Sequence, residues 1–257
     1  MTNRNFHKLL TQRFEDAKSD AIDKFNSHAF FRRFETMSEP QIHEYLAQRT
    51  FTSDFFISWY NRALCGLKSE AAKDLLRGIL RDEIPRDHPT HFEDLYSDLI
   101  SLGISRSKLL KLNPTSQTLF TIRMMKSLVD PEPPLSLQVK SPSLALSQTK
   151  RRSKVDPYST DSNIDLKILV SLVIAGEILV SEEYGYIVRH FGFTEANSRF
   201  YYFHYEHDKS GSGSHWERFN SLISSSIVDE ASLEVAIAAI NTAVNVRLSF
   251  FLQFLEP

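Results

Sequence analysis

The 9 histidines of this 257-residue chain are unevenly placed. Five fall in two short stretches, DEIPRDHPTH (Asp82 to His91) and HYEHDKSGSGSH (His204 to His215). Between them lies Glu177, set in LKILVSLVIAGEILV, a run apolar on almost every side. Such a helix is expected to be buried all round. A carboxylate there needs a proton, an ion pair or a metal, because an uncompensated buried charge costs several kcal/mol. Imidazole nitrogens and carboxylate oxygens together suit iron, manganese or zinc.

The spacings say which of these groups can meet. His204 and Asp208 stand four residues apart, one turn above the other on a single helix face, and His207 can replace either. Glu83 closes one helical pattern and His91 opens the next, so the corner between them can aim both side chains at one point; Asp82 and His88 are substitutes there. His215 points in the same direction as His204 and Asp208, all within about 40° on a helical wheel. A continuous helix would nonetheless hold Asp208 and His215 roughly 10 Å apart along its axis. His215 can therefore join the set only if SGSGS (Ser210 to Ser214) leaves the helix, as its glycines and serines favour. Each motif also has an ordinary reading: a solvated His–Asp pair, a charged turn, a core Glu that is protonated or paired with arginine.

The elements that must position these residues read as helices. Asn26 to Gly66 is helical, with a new start at Ser38, whose capping-box partner is Gln41 and whose first turn holds Pro40. Ser69 to Glu83 carries Leu75, Leu76, Ile79 and Leu80 on one side, until Pro85 and Pro89 interrupt it. Thr90 and Glu93 form a capping box that puts His91 in the first turn of the next helix, which ends at Gly103. Further helices run from Ile164 to His190, Asn197 to about Asp208, His215 to Ser226 and Ala231 to Leu255. No stretch alternates with period two over strand length, so the expectation is an all-α single domain over 1–257. Within it, 127–163 holds five of the ten prolines, many serines and the basic cluster Lys150 to Lys154. That composition predicts a flexible segment, with an active-site lid or a docking tail as alternatives.

Composition narrows the function classes. Thirty Lys and Arg nearly cancel thirty-two Asp and Glu, for a net charge of −2, which is no footprint of a nucleic-acid binder. Eight glycines make glycine-rich nucleotide loops unexpected, and one cysteine, Cys65, forbids an internal disulfide. The opening MTNRNFHKLL has no apolar core of a signal sequence, and Ile168 to Val180 is too short to span a bilayer. The expectation is a cytoplasmic protein with no nucleic-acid or membrane partner. No Glu-x-x-His, G-x-S-x-G, Walker loop or His-Glu-x-x-His is present.

In order, Glu83, His91, Glu177, His204, Asp208 and His215 resemble the ligand series of the heme-oxygenase-like diiron oxidases, the CADD-like branch of the TenA/PqqC superfamily. The resemblance rests on LLRGILRDEIPRDHPTHFEDLYSDLISLGI, IAGEILVSEEYGYIVRHFGF and FYYFHYEHDKSGSGSHWERF, and extends to HAFFRRFETMSEPQIHEYLAQ. It covers most of the chain except 127–163. Where the family pattern places its last histidine, this chain has Gly211, and His215 follows four residues later. The resemblance implies a seven- to eight-helix bundle holding two Fe ions per chain, with Mn as an alternative, that uses O2 to oxidise a small organic substrate related to amino acids, fatty acids or p-aminobenzoate. It implies Glu83, His91, Glu177, His204, Asp208 and His215 as ligands. Tyr60, Tyr184 and Tyr205 would line the substrate pocket, and a homodimer is possible. Cys65 has two readings, a nucleophile as in thiaminase relatives or simple packing. Two other functions stand beside the oxidase: a metal-free TenA/PqqC-like enzyme or ligand binder, and a non-enzymatic interaction protein on the same scaffold.

Overall fold

The computed structural model describes residues 3–84, 91–130, 161–208 and 215–255, and these are helical with no strand among them. The chain runs α1 (Asn3–Asn26), α2 (Ala29–Arg33), a 3-10 turn, α3 (Glu39–Gly66), α4 (Glu70–Glu83), α5 (His91–Ser101), α6 (Arg106–Lys111) and α7 (Ser116–Leu128). It continues with α8 (Asp161–Leu172), a π-helical segment (Val173–Ile178), α9 (Leu179–Phe191), α10 (Tyr201–Asp208), α11 (His215–Ser226) and α12 (Glu230–Phe251). Most of the 127–163 segment, residues 131–160, lies outside the described residues, as does His88.

Local signals decide where the site-bearing helices begin and end. Ser38 and Gln41 form their capping box at the start of α3. The Ser69 hydroxyl accepts from the amide of Ala72 at the start of α4. Gly103, with φ of 89°, ends α5 in the left-handed conformation that glycine adopts without a Cβ penalty. The stretch before Ser38 is not one helix: His28 caps the short α2, and a 3-10 turn separates it from α3. The expected helix from Asn197 begins instead at Tyr201, because Ser198 to Tyr201 is held by a side chain from α5 described below.

The core is a central α8–π–α9 rod wrapped by the other helices. α12 packs along α8, α1 and α7, burying Leu233, Ile240, Val244 and Phe250. By length and composition Glu230–Phe254 would suffice to cross a membrane, yet more than half of its apolar window is buried in this core. α1, not expected from the sequence, contributes Leu10, Phe14, Ala21 and Phe25, a helical stripe of large side chains. Cys65 is exposed on α3, so core packing is not its role.

Candidate metal centre and its cavity

Glu83 is the last residue of α4 and His91 the first of α5, so the two helix ends face one another. Glu83 Oε2 lies 2.7 Å from His91 Nδ1. His204, on α10, packs its ring against that of His91, with centroids 4.8 Å apart and planes nearly perpendicular. One ligand atom from each of Glu83, His91 and His204 falls within 4.8 Å of the others. His204 Nδ1 is 2.7 Å from the carbonyl oxygen of Phe200, one turn back. That bond fixes the proton on Nδ1 and puts the acceptor lone pair on Nε2, the arrangement usual for a metal-binding histidine. Burial raises the Glu83 carboxyl, but the hydrogen bond with His91 and the charges of the neighbouring histidines more than offset it, leaving its pKa below the usual value. Burial likewise lowers His91, and Glu83 outweighs this to leave its pKa raised.

Glu177 sits in the π-helical segment, 4% exposed. Tyr60 of α3 donates a short hydrogen bond to its Oε1, and His215 Nδ1 lies 3.2 Å from its Oε2. Gly176 leaves room for Tyr60: a Cβ there would stand 3.0 Å from the Tyr60 hydroxyl and 3.2 Å from Trp59, so these side chains would have to shift by a few tenths of an ångström. His215 is buried at the first position of α11, and its Nε2 is 3.8 Å from Asp82. α10 is described to Asp208 and α11 from His215; residues 209–214, which hold the expected break, lie outside the described residues. His215 is also near enough to Glu83 and His91 to act on both electrostatically. Asp208 and His207 belong to α10, one turn beyond His204; their side chains lie outside the described residues.

Two buried aspartates tie these helices together in pairs. Asp98, two turns after His91 on α5, accepts from the Ser198 hydroxyl at 2.6 Å and from the amides of Arg199, Phe200 and Tyr201 at 3.1, 3.0 and 3.2 Å. The helix that supplies His91 thereby caps the helix that supplies His204. Asp165, on the rod that carries Glu177, accepts from the amides of Lys68 and Ser69 at 2.7 Å each, at the start of the helix that ends in Glu83. A carboxylate in the first turn also favours the positive end of the helix dipole.

Glu83, His91, Glu177 and His204 open onto one cavity of about 340 Å³, within the range of small-molecule sites. Its remaining wall is largely apolar, including Phe56, Trp59, Leu95 and Val180. Tyr184 lines it, whereas Tyr60 reaches Glu177 from behind, and Tyr205 packs against Gly185 on α9, not on the cavity wall.

No protein-family model and no curated protein matches the chain. Among solved structures, a TenA family transcription regulator from Silicibacter sp. TM1040 aligns over 95% of this chain and 97% of its own, with a TM-score of 0.59 and 14% sequence identity. The fold is TenA-like.

In this TenA-like scaffold the sequence reading overlooked a second buried ionic group. Glu183, fully buried, accepts from Arg49 Nε at 3.0 and 3.1 Å, from the Tyr45 hydroxyl at 2.5 Å, and from Arg247. Arg49 and Arg247 both line the cavity, and Arg49 also donates to the Tyr184 hydroxyl at 3.1 Å. The available signal was Arg247 within an otherwise apolar helix, AIAAINTAVNVRLSFF, which raises the same question of a partner as Glu177 does.

Proposed function

We propose that this chain is a non-heme iron oxidase or oxygenase acting on a small organic substrate, with two Fe ions held by the carboxylate–histidine cluster. The observation that carries the reading is the convergence of Glu83, His91 and His204, from three helices, at the wall of a cavity that Glu177 also lines. The donor set fits: two carboxylates offer hard anionic oxygens, and the histidines offer neutral nitrogens, a combination suited to Fe or Mn. Glu83, His91 and His204 would hold one ion. Glu177 and His215 would contribute to the second, and Asp208 is assigned to the same set by the family resemblance. Bound iron would supply the redox chemistry with O2 that no side chain provides. The protein's own contribution is positional. Asp98 and Asp165 hold the ligand-bearing helices in register, the Phe200 carbonyl orients His204, and Tyr60 orients Glu177. The apolar wall excludes water from the substrate's body.

A metal-free ligand-binding protein is the second reading. It is favoured by the Glu83–His91 and Tyr60–Glu177 contacts, which satisfy both carboxylates without an ion. Elemental analysis after expression with iron supplied separates the two. The oxidase reading expects about two Fe per chain and loss of most of it in Glu177→Gln, which keeps the side chain's shape but not its charge. Iron binding unchanged in that variant would remove Glu177 from the centre; no iron in the wild-type chain would leave the metal-free reading.

A further inference from the structure

α11 carries His215 at its first position and lies against α4, α8 and the π-helical segment. The N–H of a helix's first residue is outside the helix's own hydrogen-bond ladder, so the placement of His215 draws on contacts made by its neighbours. One of these is Arg218, three residues on and therefore on the same face of α11. Its Nη1 donates to Asp82 Oδ2 at 2.8 Å, and that same oxygen lies 3.8 Å from His215 Nε2. The opposite ring nitrogen, Nδ1, is 3.2 Å from Glu177 Oε2. The His215 ring thus reaches from an exposed carboxylate on α4 to the buried one on the central rod.

Gly78 makes room for this arrangement. It stands one turn before Asp82 on the same face of α4, and a Cβ there would be 2.2 Å from Arg218 Nη2. The guanidinium therefore lies close against α4 and is not a free surface arm. Glycine inside a helix is destabilising compared with alanine, so the close approach comes at the expense of α4. The Asp82 and Arg218 side chains are 56% and 36% exposed, and an ion pair in such a setting contributes little to stability. What the pair fixes is the distance and direction of α11 from α4, and hence where the His215 ring points.

We propose that Arg218 is a positioning residue: laid across Gly78 and bonded to Asp82, it holds the His215 ring against Glu177. The consequence for iron rests on the reading above, whereas the placement of the ring does not. Gly78→Ala separates this role from stability, because alanine favours the helix while its methyl displaces the guanidinium. The test pairs crystal structures of the metal-free full chain with anaerobic Fe(II) titration. It compares wild type, Gly78→Ala, Arg218→Gln and a control, Arg77→Gln, whose ion pairs with Glu70 and Asp74 are on the exposed side of α4. In Gly78→Ala and Arg218→Gln the His215–Glu177 contact is expected to lengthen beyond hydrogen-bond reach, roughly 3.5 Å. The iron assigned to Glu177 and His215 should then bind about 10–100-fold more weakly, with the iron at Glu83, His91 and His204 unchanged. Gly78→Ala should melt no lower than wild type, and Arg77→Gln should match wild type in both the contact and the iron. An intact His215–Glu177 contact in both Gly78→Ala and Arg218→Gln overturns the proposal, as does an equal loss of iron in Arg77→Gln. Wild type that takes up no iron removes the oxidase reading, and the crystal structures then decide the proposal alone. Two irons in wild type, with His215 unmoved in the variants, retain that reading and remove the proposal.

Discussion

In one region of the cavity, Glu83 and Glu177 face His91, His204, His215 and Tyr60; in another, Arg49 and Arg247 face Glu183 and Tyr45. Tyr184 stands between them, its hydroxyl on Arg49 and its ring 5.9 Å from that of His204. The second group is buried throughout, whereas Glu83, His91 and His204 of the first are half-buried, and the two are imbalanced in opposite directions. The first pairs carboxylates with groups that can be neutral. The second sets two guanidinium groups on one carboxylate, so its charges are fixed. A buried ionic cluster therefore signals structure or ligand according to what remains uncompensated.

The largest expected effect separates the two carboxylates. Glu183→Gln removes the one anion facing two buried guanidinium groups and should destabilise the protein by about 3–5 kcal/mol. Glu177→Gln in the metal-free protein should cost no more than about 1–2 kcal/mol, because Tyr60 and His215 can still hydrogen-bond an amide. Urea unfolding of both variants decides the matter, and equal costs would erase the distinction between the regions.

Next is the packing behind Glu177. Gly176→Ala places a methyl against Tyr60 and Trp59, an overpacked contact expected to cost about 1–3 kcal/mol and to weaken iron binding by displacing Tyr60. Gly192→Ala, at a φ of 62° with open space around its Cβ position, should cost about 1 kcal/mol through backbone strain alone and leave iron affinity unchanged. A metal titration of the two variants separates positioning from general destabilisation.

Asp98→Asn tests whether capping transmits to the site. The amide keeps one acceptor oxygen but loses the charge-assisted bonds to α10, and iron affinity should drop about 10–100-fold, as for other groups that orient ligands. Asp229→Asn, at the cap of α12 and remote from the cluster, should leave it unchanged.

The smallest effect is in pH. The raised pKa of His91 gives the metal-free protein a contribution that is full below 6.5 and lost as pH rises through the raised value. The depressed pKa of Glu83 gives one that is full above 4.5 and lost as pH falls through the lowered value. The pair thus stabilises the metal-free chain most between 4.5 and 6.5. Substituting His91→Gln should flatten the pH dependence of its melting temperature on both sides of that window.

Much of this architecture was legible because the signals are local. Ser38 with Gln41 and Gly103 mark helix ends by side-chain chemistry and backbone freedom, and both act as expected. The helix expected to start at His215 is α11, which begins at that residue. The π-helical segment was not legible, since residues around Glu177 are apolar on all faces and leave no phase from which a slip could be read. Asp98 and Asp165 look like ordinary surface acids in sequence; only packing brings amides from another helix to them. Glu183 stood beside Glu182 with nothing local to tell which faces inward, and its partners come from residues 134 and 64 positions away.

The most direct measurement is anomalous diffraction at the iron edge from crystals grown with anaerobically loaded protein. The account predicts two iron peaks on the cavity wall, one among Glu83, His91 and His204 and one at Glu177 and His215. Iron bound solely at surface histidines, or no peak in the cavity at saturating iron, would contradict it.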